Sequence, residues 1–334
     1  MPACIAPPAW QAGIVDLPFL DAGTLASLVP WTAAIAALEA ALAAGAATSG
    51  GPPRFSVAEA SGELLVMPAA SAAGVGVKVT SVAPGNPERG LPRIQAVYVL
   101  FDAATLSPRA LLDGTALTTL RTPAQSALAV RSLAHEDAAE LLVFGSGPQA
   151  WGHVHAIGRV RRLRTVRIAG RDPARQAGLV DRLRAEGVAA VAGSPADVGS
   201  ADIVVCATTA RQPVFDGRLL AGRACVVAVG SHEPAARELD DTTFARATRV
   251  VVEERSTALR EAGDVLQAIA SGVLDAEQLV ELAALARLAA PSGIAVFKGV
   301  GMGWQDLAVA EAAYAAWLVR GSTAQRQPRS VVTG

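Results

Sequence analysis

The chain has 334 residues, longer than the roughly 250–300 at which a single hydrophobic core stops growing, so two domains are expected. Basic and acidic side chains nearly cancel, 29 against 30, for a formal net charge of −1. No global positive field is available to hold a nucleic-acid backbone or an anionic membrane surface, and both classes of partner are set aside.

The first twenty residues lack a basic leader and are broken by Pro2, Pro7, Pro8 and Pro18, so they do not read as a signal peptide. No charge-free apolar run reaches the ~18 residues of a membrane span outside alanine-rich stretches broken by Gly or Pro. A soluble, cytoplasmic protein is expected. Residues 25–47 carry apolar side chains at helical spacing and read as one amphipathic helix, ended by Gly45 and the Gly50-Gly51-Pro52-Pro53 cluster. From 54 to 101 the pattern changes to short β-rich runs, 62–68, 74–82 and 95–101, separated by turn residues such as Pro84-Gly85-Asn86-Pro87. They predict an antiparallel meander, continued through 110–114 and followed by a helix over 118–134.

Beyond residue 140, strands and helices alternate, the signature of parallel βαβ units. Strands are predicted at 141–144, 165–169, 203–207, 225–229 and 250–253, with helices at 151–160, 174–186 and 277–288. The fold class is therefore α/β: a Rossmann-type doubly wound parallel sheet over 123–304, plus an α+β domain over 1–122, to which the resemblance described below assigns substrate binding and dimerisation. A C-terminal helix at 305–320 is expected to cross back onto the first domain, and the polar tail 322–334 to fray.

Between the first strand and first helix of the parallel unit lies Gly145-Ser146-Gly147-Pro148-Gln149-Ala150, a GxGxxA string. The first glycine makes a tight turn, the second lets backbone N–H groups approach a pyrophosphate, and Ala150 permits close helix packing. A nicotinamide dinucleotide is the cofactor this loop predicts. NAD-preferring domains end the second strand on an acidic residue, but here Arg171 occupies that region and suits the 2′-phosphate of NADPH. Asp172, followed by Pro173, reads as the N-cap of the next helix.

Only two of the 29 basic residues, Lys78 and Lys298, are lysine. In a chain drifted almost wholly to arginine, these positions need a compact ammonium that can release a proton. Cys4, Cys206 and Cys225 lack CxxC spacing and read as core filler in a reducing compartment, with no disulfide framework and no metal site. His135, His153 and His155 have no partner spacing and read as structural.

Several segments together resemble the ornithine cyclodeaminase and mu-crystallin family. The carriers are Val66-Met67-Pro68, Lys78-Val79-Thr80, Leu112-Asp113-Gly114, Leu117-Thr118, Leu120-Arg121-Thr122-Pro123-Ala124 and the Gly145 loop. They continue with Val229-Gly230-Ser231-His232, Arg237-Glu238-Leu239-Asp240, Glu261-Ala262-Gly263-Asp264-Val265 and Val296-Phe297-Lys298-Gly299-Val300-Gly301. The resemblance implies small α-amino or α-imino acid substrates whose carboxylate is held by Arg54, Lys78 and Arg121. A guanidinium fork grips a carboxylate bidentately and a lysine adds a point charge. It further implies cofactor contacts from Thr122, Thr208, Val229, Lys298 and Gly301, and a homodimer joined through the N-terminal sheets.

One departure bears on activity. Cyclodeaminases resembling this chain place an aspartate where His232 stands, a lysine where Ala236 stands, and an acidic residue just before Met67-Pro68, where this chain has Leu65 and Val66. The pattern without them is similar to the reductase branch, which implies NAD(P)H-dependent reduction of a cyclic ketimine carboxylate, with His232 or Lys78 as proton donor. An ornithine cyclodeaminase that recycles bound NAD, and a crystallin-like binding protein without turnover, are the alternatives.

Overall fold

The computed structural model describes residues 17–46, 52–72, 74–289 and 291–326. Cys4, Gly50-Gly51 and the last eight positions of the tail lie outside them.

The meander is present as β2 (Phe55–Glu59), β3 (Gly62–Ala70), β4 (Gly74–Val82), β5 (Ile94–Asp102) and β6 (Pro108–Asp113), paired antiparallel in that order. A short β1 (Phe19–Leu20) adds parallel to β6. Along β4 the side chains alternate, and Gly74, Gly76, Lys78 and Thr80 share the buried face. That face packs on the helices Gly114–Leu133 and Gly303–Arg326, and among the described residues the other face carries the exposed Phe55, Val57, Leu64 and Val97.

The predicted helix over 25–47 is two helices, α1 (Ala22–Leu28) and α2 (Trp31–Ala43), bent by 77°. Pro30, which lacks an N–H to continue the ladder, is the cause. Asp113 caps α3 (Gly114–Leu133) by accepting from the N–H groups of Thr115 and Ala116. The helix runs through Pro123, where the sequence divides the two domains, so one buried rod belongs to both layers.

The second sheet has eight strands, all parallel: β7 (Glu140–Phe144), β8 (Thr165–Ala169), β9 (Ala190–Ala192), β10 (Ile203–Cys206), β11 (Cys225–Ala228), β12 (Ala247–Val252), β13 (Leu279–Glu281) and β14 (Ile294–Lys298). Their spatial order is β13-β12-β14-β11-β10-β7-β8-β9. The central strands are uninterrupted apolar runs, as burial on both faces requires. Chain order reverses between β7 and β10, which opens a crevice beyond their carboxyl ends. Around this sheet lie α4 (Pro148–Ile157), α5 (Pro173–Ala185), α6 (Asp241–Arg246), α7 (Arg255–Glu261) and α8 (Gly263–Ala270). Asp172 caps α5 from its N-terminus, accepting from Ala174 and Arg175, with Pro173 in the first turn.

The helix predicted over 277–288 is absent: two short 3₁₀ turns flank β13, which pairs with β12 at Val250↔Leu279. The Leu/Ala periodicity of that stretch is helical, but an open sheet edge captures three of its residues. Finally α9 (Gly303–Arg326) returns to pack against α2, α3, β3 and β4. Among the described residues no single helix is long and apolar enough to cross a membrane. Cys206 and Cys225 are buried free thiols in the sheet.

Candidate active site

A cleft of about 380 Å³ opens between the two sheets, walled by β3 and β4 on one side and by the carboxyl ends of β10, β11 and β14 on the other. Arg54, Lys78, Arg121, Thr122, Gln149, Thr208, Val229, His232 and Gly301 all line it. The sequence had singled out each of these, and the fold brings them together from seven separate regions.

The chemical centre is Asp306, in the first turn of α9, fully buried. Its Oδ2 takes the ammonium of Lys78 at 2.8 Å and its Oδ1 the Nε of Arg121 at 3.1 Å. Two cations thus share one carboxylate. Arg121 also donates through Nη1 to Oε1 of Gln305 at 2.9 Å, and Lys78 to Oγ1 of Thr118 at 3.2 Å. Burial favours the uncharged amine and pulls the Lys78 pKa down to about 8; Asp306 resists that shift, and the neighbouring Arg121 and Arg54 guanidiniums add to it. The excess positive charge, together with the second terminal nitrogen of Arg121, suits one incoming carboxylate.

Arg54 lines the same cleft but is engaged: one arm pairs with Glu261 and the other donates to the Val300 carbonyl at 3.0 Å. His232 stands on the loop after β11, half-buried. Desolvation first, then Arg54, push its pKa below the usual imidazole range, so at neutral pH it is mainly uncharged. Gly301, at φ 85°, lets the backbone close over Arg121; a Cβ there would lie 2.8 Å from the guanidinium.

The glycine loop sits at the crevice. Gly145 has φ 119°, and a Cβ on it would come within 2.6 Å of the Ala207 carbonyl, so the β7 and β10 ends meet only because it is glycine. Among the described residues, nothing beyond the adjoining chain lies within 4 Å of a would-be Cβ on Gly147, and no side-chain hydrogen bond caps α4. The N-terminus of α4 is therefore open to an anion. Ala150 is buried and Ser146 lies beside Gly170, one residue before the exposed Arg171. These residues fit a dinucleotide.

Lys298 departs from expectation. It is turned from the cleft, pairing with Asp264 at 2.9 Å and donating to the Ser231 carbonyl at 2.7 Å, both in full burial. It holds the loop that carries His232 rather than facing the cofactor. Glu238, equally buried, ties Thr208 and Gly230 together by accepting from both backbone N–H groups. Of the positions at which the sequence departs from the cyclodeaminase pattern, Leu65 and Ala236 are buried and Val66 is half-buried. His153 is sealed between Ser126 and the Gln149 carbonyl, and His155 pairs with Glu186 on the surface.

Asp306, Gln305 and Glu253 were not anticipated. A signal was present: Gln305-Asp306 is a polar pair opening an otherwise alanine- and leucine-rich helix.

A doubly wound sheet with a glycine loop at its switch point, facing a buried cationic pocket on a second sheet, defines a two-layer protein built for a dinucleotide and a small carboxylate. The family model for the ornithine cyclodeaminase/mu-crystallin family matches residues 21–321, and the chain belongs to that family. It is similar to the Δ1-pyrroline-2-carboxylate/Δ1-piperideine-2-carboxylate reductase of Azospirillum brasilense, 33% identical over 91% of this chain and 97% of that protein. Among solved structures, Δ1-pyrroline-2-carboxylate reductase of Thermococcus litoralis, in complex with NADH and L-proline, matches with TM-score 0.85 at 28% identity, over 91% of this chain and 98% of that one. A probable ornithine cyclodeaminase from Bordetella pertussis matches with TM-score 0.84 at 33% identity, over 92% and 98%.

Proposed function

We propose that the chain is an NAD(P)H-dependent reductase of a cyclic ketimine carboxylate, of the Δ1-pyrroline-2-carboxylate or Δ1-piperideine-2-carboxylate type, giving an L-amino acid. The observation that carries this reading is the buried Asp306 shared between Lys78 and Arg121, which both line a cleft that Gln149 of the glycine loop also lines. Arg121 and Lys78 bind the substrate carboxylate, and Arg54 closes the rim. The loop from Gly145 to Ala150, with Thr122, Thr208, Val229 and Gly301 nearby, would hold the cofactor, which would supply a hydride for the imine carbon. Arg171 favours NADPH over NADH.

Lys78 donates the proton that the imine nitrogen requires. With a pKa of about 8 it is mainly protonated at neutrality yet able to release the proton, which is what a general acid needs. His232, held mainly neutral, is the weaker donor. The relatives favour reduction over cyclodeamination, as do His232 in place of the cyclodeaminase aspartate and the apolar Leu65 and Val66 in place of its acidic residue, because a diamine's second ammonium finds no carboxylate at those positions.

The working unit is a homodimer joined through the N-terminal sheets, which with α9 form the substrate-binding layer, in the cytoplasm. The test is an assay with two substrates. Δ1-pyrroline-2-carboxylate with NADPH is expected to give proline with stoichiometric cofactor oxidation, and L-ornithine with NAD to release little ammonia. Strong ammonia release from ornithine without net NADH formation would overturn the reductase reading.

A further inference from the structure

Glu253 follows β12 directly and is 4% exposed, yet among the described residues no cation lies within ion-pair distance of it. Its carboxylate is satisfied by amides alone. Oε1 accepts from Gln125 Nε2 at 2.8 Å and Gln305 Nε2 at 2.7 Å; Oε2 accepts from the Val300 and Gly301 N–H groups at 2.7 and 2.8 Å. An ionised carboxylate only accepts, so each side-chain amide beside it must turn its NH₂ inward and its oxygen away.

For Gln305 the consequence is direct, because the oxygen turned away is the one that takes Arg121 at 2.9 Å. For Gln125 the oxygen finds no partner among the described residues, although the side chain is 2% exposed on the cleft wall. The adjacent Ser126 is constrained alike. His153 Nδ1 faces the Gln149 carbonyl at 2.7 Å and so carries the ring proton; its Nε2 then accepts from the Ser126 hydroxyl at 2.8 Å. Burial lowers the His153 pKa to about 4, which keeps the ring in that neutral form. Ser126 is left with acceptor capacity only, and it too lines the cleft.

We propose that Glu253 is a positioning residue that fixes both amides, aligning Arg121 through Gln305 and leaving Gln125, with Ser126, as an acceptor subsite for an N–H donor on the bound ligand. Two sources carry such a donor: the substrate's iminium nitrogen and the nicotinamide carboxamide. The inference rests on the reductase reading for the first source and is independent of it for the second.

The experiment uses the full chain with Gln125→Met, which keeps volume and removes the acceptor, and Glu253→Gln, which lets the amides turn. Binding of NADPH and of its 3-acetylpyridine analogue, which lacks the carboxamide N–H, is measured by fluorescence and by competition, and imine reduction by steady-state kinetics. Gln125→Met is expected either to shrink the preference for NADPH over the analogue at least fivefold, assigning the carboxamide, or to raise the imine KM at least fivefold with that preference intact, assigning the iminium. Glu253→Gln is expected to raise the imine KM at least tenfold with kcat within threefold. Gln125→Met changing neither quantity overturns the acceptor subsite, and Glu253→Gln leaving KM within twofold overturns the positioning role. A wild-type enzyme that reduces no imine refutes the reductase reading instead, and the analogue ratio still decides the subsite.

Discussion

Lys78 occupies a strand position whose parity faces the core, where an apolar residue is the ordinary choice. A buried ammonium without compensation loses its charge, and Asp306 at 2.8 Å keeps this one near its titration point rather than fully neutral. The sign of the pH dependence follows. The ammonium is the proton-bearing form, so kcat/KM for imine reduction should be flat below pH 8 and fall about tenfold per unit above it. Lys78→Arg keeps the positive charge but not a releasable proton, and is expected to lower kcat by about 10²-fold or more. His232→Asn is expected to change it by less than about threefold, since a neutral imidazole contributes little as an acid. A 10²-fold loss in His232→Asn with a normal rate in Lys78→Arg would exchange the two roles. Lys78 was legible in the sequence because lysine is scarce here, and Arg121 because it lies in the Leu120–Ala124 segment that carries the family resemblance. Asp306 was not legible as their partner, because the pairing joins β4, α3 and α9 only after the chain has folded back over more than 180 residues.

At the scale of elements, legibility tracks how locally the governing interaction acts. The Gly145 loop, the Asp172 cap and the β4 strand were readable because turn geometry, capping and period-two burial are local. The break at Pro30 was underweighted, since its flanks share one apolar periodicity, and β13 was misread as helix because sheet pairing at Val250↔Leu279 overrides local propensity. Lys298 was scarce for a structural reason, its pairing with Asp264, so scarcity alone did not separate binding from scaffolding. The proposed cofactor preference belongs to the β8-to-α5 connection. Arg171 is exposed beside the glycine loop, so Arg171→Ala should weaken NADPH by about tenfold while leaving NADH within about twofold, as expected for loss of one phosphate contact. Equal losses for the two cofactors would place the 2′-phosphate contact elsewhere.

For the molecule as a whole, the distribution of apolar surface bears on assembly. The meander register puts Phe55, Val66, Val79 and Val97 in one row and Val57, Leu64 and Ser81 in the next, all on the face opposite Lys78. Phe55, Val57, Leu64 and Val97 are each at least 37% exposed. A contiguous apolar face of this kind on a soluble monomer is an association site by default, and β2 adds an open edge with every residue exposed. A second copy meeting it about a two-fold axis would bury like against like, as an isologous interface requires. The same sheet carries Lys78 on its inner face, so pairing the outer faces would stiffen the strand that positions the proposed proton donor. Light scattering at micromolar concentration is expected to give a dimer, and Val57→Glu to shift it toward monomer, because the charge would be buried without a partner. Reductase activity should then fall in parallel with dimer content on dilution. A wild-type monomer, or a Val57→Glu dimer of unchanged stability, would move the interface off this sheet and leave its exposed valines without a partner.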